Sequence, residues 1–277
     1  MEEMDKKARD IIQQEQKKTA GLLFFLFLCA VAMVSLFVTG YGILALVFTY
    51  VPVRGSLSCN RWKWNRLSTM LEGHCDSREM QQVYEWYYSR VISSKRKAFL
   101  AEKAARACTY NENWEAAESW REQLDRQSAL YEELFQAFYR EDKEEFDRCW
   151  KSYRVLAAEI REKTPAYYRY HQSFDKLDVY RSYMDEGSKE FFHDIFSRNI
   201  SFTQAELVIL HYKEACLLME HMSPSEMPKA GLPLSEAFKK TEHAFYYVMD
   251  KGSTMACVVR ARKRLKQLLS MAAGGGD

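Results

Sequence analysis

Glycine and proline are sparse, at 11 and 5 in 277 residues, and runs of β-branched side chains are missing. Strand-rich folds depend on such runs and on turn formers, so an all-α chain is predicted. Motifs that carry chemistry at fixed spacing are missing too. The chain has no Gly-Lys-Ser/Thr phosphate loop, no Gly-x-Ser-x-Gly elbow, no His-Glu-x-x-His and no Cys-x-x-Cys. Phosphate cradling, elbow-type acyl transfer and helical zinc hydrolysis therefore have no local signature. A strong charge imbalance is also absent, the formal net charge being +2, and no nucleic-acid partner is implied.

One absence is local and decides the most. The 33 residues from Gly21 to Val53 contain no charged side chain. Such a block is favourable in a bilayer and costly in water, so a membrane insert is predicted there. A helix of that length extends about 50 Å against a hydrocarbon core of about 30 Å. A single tilted span over Leu22 to roughly Ile43, one long helix projecting beyond the lipid, and a short hairpin reversing at Thr39-Gly40-Tyr41-Gly42 all fit. The apolar core exceeds that of a signal peptide and no clear small-residue cleavage site closes it, so a retained anchor is expected.

Basic residues flank the insert on both sides. Lys6, Lys7, Arg9, Lys17 and Lys18 precede it; Arg54, Arg61, Lys63 and Arg66 follow. The near-equal counts leave orientation undecided and suit a hairpin with both ends in the cytoplasm. Six cysteines outside the insert (Cys59, Cys75, Cys108, Cys149, Cys216, Cys257) are widely spread and read as buried thiols of a reducing compartment. A Cys59–Cys75 disulfide would close a small loop on an oxidising face. The cytosolic side is expected for the soluble part. Trp62 and Trp64 alternate with Arg61, Lys63 and Arg66, the chemistry of a headgroup interface, or of tryptophans entering the soluble core.

From about Ser77 the apolar residues recur at three and four. Trp114, Ala117, Trp120 and Leu124 share a face, as do Leu130, Leu134 and Phe138, and Phe146, Trp150, Tyr153, Ala157 and Ile160. Asn113 and Asp142 are placed to cap helices, Thr164 precedes Pro165, Gly187-Ser188 stops one helix and starts another, and Thr203 with Glu206 matches a capping box. Helices are predicted near 77–109, 113–140, 142–163, 165–185, 188–199, 203–222, 234–250 and 254–271, with short antiparallel connections and a loop over 223–233. A short polar helix is expected near 4–18. The segments expected are 1–20 polar, 21–53 insert, 54–76 juxtamembrane, 77–271 soluble and 272–277 disordered.

Ala107 to Trp120 and Ala137 to Trp150 each read as a helix, a polar turn, then a second helix with an aromatic four residues along, Ala116 to Trp120 and Phe146 to Trp150. In this they resemble tetratricopeptide helical hairpins. The shift between copies is 30 rather than about 34, the turn glycine is missing, and Phe146 stands where a small residue belongs. Met249 to Ala256 supplies the glycine without the aromatic. The resemblance implies stacked hairpins with a concave, partner-binding face; a plain irregular bundle is the other reading.

Candidate chemistry is thin. Glu190 and His193, with Asp194, sit at i, i+3 on one helical face, but a dinuclear carboxylate site needs a second such pair, and none exists. His74 and Cys75 with Cys59 lack a fourth metal ligand. Dense tyrosines (Tyr84, Tyr87, Tyr88, Tyr167, Tyr168, Tyr170, Tyr180, Tyr246, Tyr247) exceed what one inward face can bury. Arg260, Arg262, Lys263, Arg264 and Lys266 crowd one helix with no acid between Lys251 and Gly276, so that helix could face anionic lipid. The reading is a membrane-anchored helical adaptor or scaffold whose partners are the bilayer and another protein, with no cofactor and no catalytic residue assigned. A membrane-bound enzyme on a helical bundle, or a membrane-active effector working through the insert, are the alternatives.

Overall fold

A computed structural model describes residues 5–41, 50, 54, 58, 61–164, 173–186, 192, 195–196, 200–223, 225–227 and 233–274. Every regular element among them is an α-helix. The chain divides into two compact units, Met1–Met70 and Leu71–Asp277.

In the first unit one helix, α1 (Lys6–Val38), contains both the polar amino-terminal stretch and the start of the apolar block. The separate helix expected near 4–18 does not exist. Nothing between Lys17 and Gly21 breaks the hydrogen-bond ladder, and a Cβ at Gly21 would meet no neighbour within 4 Å. Asp5 caps the start, its carboxylate accepting from the Lys7 amide at 2.8 Å.

The end of α1 is a Schellman turn. Tyr41 N donates to Leu36 O at 2.9 Å and Gly40 N to Phe37 O at 3.2 Å, with Gly40 at φ +85°. The apolar helix therefore stops short of Ile43, the end expected for a single span. The glycine takes the left-handed conformation that a Cβ disfavours. The second limb of the expected hairpin, Ile43–Val53, lies outside the described residues apart from Tyr50.

Along α1 the large apolar side chains are exposed, Phe24 at 64% and Phe37 at 74%. By length and composition α1 is a candidate membrane span, and its place near the amino terminus also fits a signal sequence. Ile11 and Ile12, too few to define a core by themselves, are nonetheless buried. Glu15 beside them is buried and held by Arg66 at 2.9 Å.

The second unit contains α2 (Ser77–Tyr88), α3 (Ser94–Tyr110), α4 (Trp114–Arg121), α5 (Arg126–Arg140), α6 (Lys143–Lys163), α7 (Ser173–Glu186), α8 (Gln204–Glu220), α9 (Glu236–Lys251) and α10 (Ala256–Gly274). Two predicted helices are each split. The 77–109 helix breaks at 89–93, where the Ser89 hydroxyl donates to Trp86 O at 2.9 Å and β-branched Val91 and Ile92 follow. The 113–140 helix breaks at 122–125 because Asp125 adopts an extended backbone and accepts from the amides of Gln127 and Ser128. An aspartate in mid-pattern is worth more as a cap than as a helical residue. The predicted caps at Asn113 and Asp142 are present, accepting from Ala116 N and Glu145 N, and Thr203 with Glu206 forms the capping box. α10 continues to Gly274, past the expected limit of 271. Helix 188–199, Pro165 and the Gly187-Ser188 junction lie outside the described residues.

Consecutive helices pack on one another, α2 on α3, α3 on α4, α5 on α6, α8 on α9 and α9 on α10. The core is aromatic. Phe138 stacks on Tyr180 at 4.2 Å, and Phe135 meets Tyr110 edge-on at 6.0 Å. Fully burying one such ring contributes roughly 1.5–3 kcal/mol. Of the dense tyrosines, Tyr84, Tyr87 and Tyr180 are buried and Tyr246 is 48% exposed; Tyr167, Tyr168 and Tyr170 lie outside the described residues.

Candidate functional site

Charged side chains gather around a cavity of about 420 Å³ in the second unit. Helical spacing explains the gathering. On α3, Lys103 and Arg106 stand three residues apart and share a face; on α5, Ser128, Tyr131 and Glu132 follow the Asp125 cap on one side. Lys176 comes from α7 and Glu206 from the first turn of α8.

Arg106 and Glu132 form the floor, both buried. Arg106 Nε donates to the two Glu132 oxygens at 2.8 and 3.0 Å, and its Nη2 donates to Oε1. The guanidinium lies over Phe135 at 4.2 Å. Burial alone would disfavour the Arg106 charge, but Glu132 outweighs it and holds the guanidinium well above its ordinary value.

Glu206 is the second buried acid. The capping box fixes it: Thr203 N donates to its Oε2 at 2.8 Å, and its own amide donates to Thr203 Oγ1 at 3.2 Å. Lys176 Nζ bonds the same Oε2 at 2.6 Å, Tyr180 donates to Oε1 at 3.2 Å, and Arg106 Nη1 stands 3.7 Å away. Burial pushes this carboxyl up. Lys176, then Arg106, outweigh burial and hold it below its ordinary value.

The rim is more accessible and more acidic. Lys103 bonds Glu72 at 2.6 Å and Glu102 at 3.3 Å, and Glu102 is 41% exposed at its side chain. Asp125 is exposed at the same mouth.

A second, more open cavity of about 620 Å³ has Phe192, Phe196 and Leu207 on its wall. There the His211 ring stacks on Phe196 at 4.3 Å and lies 4.1 Å from Tyr247, and its Nδ1 is 3.1 Å from Glu214. A scan for glutamate three residues before histidine misses this pair because the order is reversed. The i, i+3 face is the same either way. Glu214, pushed up by burial, is brought below its ordinary value by His211 and Lys240.

Glu133, Glu145 and Cys149 bring three donor atoms within 4.8 Å of one another. Arg148 already pairs with both acids, and burial pushes the Cys149 thiol up to about 12, so a protonated thiol and a guanidinium occupy the place of a cation.

The sequence-derived candidates are scattered. Glu190, His193, Asp194 and Cys59 lie outside the described residues. Trp62 is 57% exposed, with Lys18 and Arg66 over its ring at 5.2 and 5.7 Å, and Lys63 lies 5.0 Å from the Trp64 ring. Arg61 is exposed. On α10, Arg260 pairs with Glu112 and Arg264 lies 3.8 Å from Glu220, whereas Arg262, Lys263 and Lys266 are exposed without an ion pair among the described residues. The free cysteines include buried Cys75, Cys108 and Cys257. The residues of the polar cavity carry no local motif. Arg106, Glu132, Lys176 and Glu206 stand 26 to 74 residues from their partners' helices in the chain order of α3, α5, α7 and α8, and only packing unites them; the Thr203–Glu206 capping box was the one visible sign. No protein family, no curated protein and no solved structure matches this chain.

Proposed function

We propose that the protein is a membrane-anchored helical adaptor, held in the bilayer by α1 and binding a second protein through its helical unit. One observation carries the reading. The most apolar 18-residue window of α1 has no buried residue, so its phenylalanines, leucines and valines need lipid as their solvent. Two further features support it. Arg262, Lys263 and Lys266 on α10 offer unpaired cations to anionic headgroups, each contributing about 1 kcal/mol near the surface. The consecutive pairs α3–α4 and α5–α6, turning at Asn111–Asn113 and Glu141–Asp142, are the segments that resemble tetratricopeptide hairpins. An anchor raises the local concentration of an attached binding unit, which strengthens recruitment without any new contact.

The cytosolic side is proposed for the helical unit, in keeping with its free thiols and the basic flanks of the insert. The test has two arms. Washing membranes with alkaline carbonate should leave the full chain in the pellet, and crosslinking in intact membranes should yield one reproducible heterologous adduct. Release into the supernatant removes the anchor; adducts that match those of an unrelated anchored protein remove the adaptor.

A further inference from the structure

The charge arrangement of the polar cavity goes beyond an adaptor role. Its lining holds five carboxylates, Glu72, Glu102, Asp125, Glu132 and Glu206, against three cations, Lys103, Arg106 and Lys176. Each cation is already committed to a carboxylate, Lys103 to Glu72, Arg106 to Glu132 and Lys176 to Glu206. Two acids, Glu102 and Asp125, remain in excess, and both sit at the accessible mouth. A water-filled recess whose rim carries surplus negative charge attracts cations and repels anions.

Burying ion pairs of this kind rarely adds net stability, since well-packed apolar residues of similar volume serve as well or better. The aromatic core around it shows that this unit has apolar alternatives in plenty. A polar recess of about 420 Å³ falls within the range of small-molecule pockets.

The geometry also selects among cations. Among the described residues the one convergent set of three potential metal ligands is Glu133, Glu145 and Cys149, so no three cavity carboxylates converge on a single ion. Separated carboxylates suit instead a flexible chain with a positive charge at each end. Tyr131 and Tyr153 add ring surface against which an alkylammonium can rest.

We propose that this cavity binds a small alkyl diammonium or polyamine, with Glu102 and Asp125 taking one ammonium end at the mouth and the methylene chain lying along Tyr131. The test is calorimetric titration of putrescine and spermidine into the full chain in zwitterionic nanodiscs. Saturable one-to-one binding is expected. Glu102→Gln should weaken it at least tenfold, whereas Glu236→Gln on α9 should leave it unchanged. Lys103→Gln, which removes the competing rim cation, should tighten it. Absence of saturable heat overturns the proposal, and so does binding that is insensitive to Glu102→Gln. Preferential binding of inorganic phosphate, lost on Lys103→Gln, would make the cavity an anion site and equally overturn it. Glu102 is partly exposed and outside the core, so its variant folds whether or not the proposal holds. None of these outcomes depends on the bilayer or on a protein partner.

Discussion

Arg106 Nε stands 2.8 Å from Glu132 Oε2, with Glu132 only 1% exposed and the guanidinium laid across Phe135. A fork-to-fork pair so deeply placed ties α3 to α5 by charge as well as by packing. Removing one partner leaves an uncompensated buried charge. Glu132→Ala should therefore cost about 3–5 kcal/mol in urea unfolding of the full chain in detergent. Replacing the pair together, Arg106→Met with Glu132→Leu, should cost far less. A loss below about 1 kcal/mol for Glu132→Ala would mean that water enters and solvates the pair.

Glu206 makes stability depend on pH. Its folded carboxyl lies below the ordinary value of 4.5, because Lys176 and Arg106 outweigh the burial that pushes it up. A depressed folded value means stability that is complete above the unfolded value and lost as pH falls through the folded one. The melting difference between the native chain and Glu206→Gln should be largest above pH 4.5 and shrink below it. A difference constant from pH 7 to pH 3 would show that the carboxylate charge plays no part.

Gly252 ends α9, its amide donating to Val248 O at 2.9 Å. Its φ is an ordinary −78°, so conformational freedom is not the reason for glycine. Space is. A Cβ would stand 2.5 Å from the Val248 carbonyl oxygen and collide with Val258 Cγ2. Gly252→Ala should lower stability by about 1–3 kcal/mol through overpacking at the α9–α10 turn. Pairing it with Val258→Ala should recover part of the loss, read from the same thermal melts.

Cys75, Cys108 and Cys257 are buried, and burial pushes each thiol up to about 12. The thiolate is the reactive form, so an alkylating reagent at pH 8 should leave all three intact in the folded chain and modify them in urea. Mass spectrometry of the modified peptides decides it. Rapid labelling of Cys108 in the folded state would place α3 nearer the surface than it is here.

What was legible in the sequence followed local rules. Asn113, Asp142 and Thr203 with Glu206 were readable as caps because a cap is settled within four residues. Positions of most helices followed from periodicity. Failures came where two local rules competed. Asp125 fits both a helical stripe and an N-cap, and Ser89 to Ser94 mixes helix-tolerant with extended-favouring residues. The stop at Gly40 was visible as a glycine, but its role as a Schellman end depended on hydrogen bonds back to Leu36 and Phe37.

The uncharged run and the all-helical character belonged to the sequence alone, because transfer to lipid and helix propensity act residue by residue. The polar cavity did not. Arg106, Glu132, Lys176 and Glu206 reside on four helices, and a charge becomes costly, paired or shifted only when packing removes its water. Tertiary structure decided which acids face which cations, and no spacing along the chain encodes that.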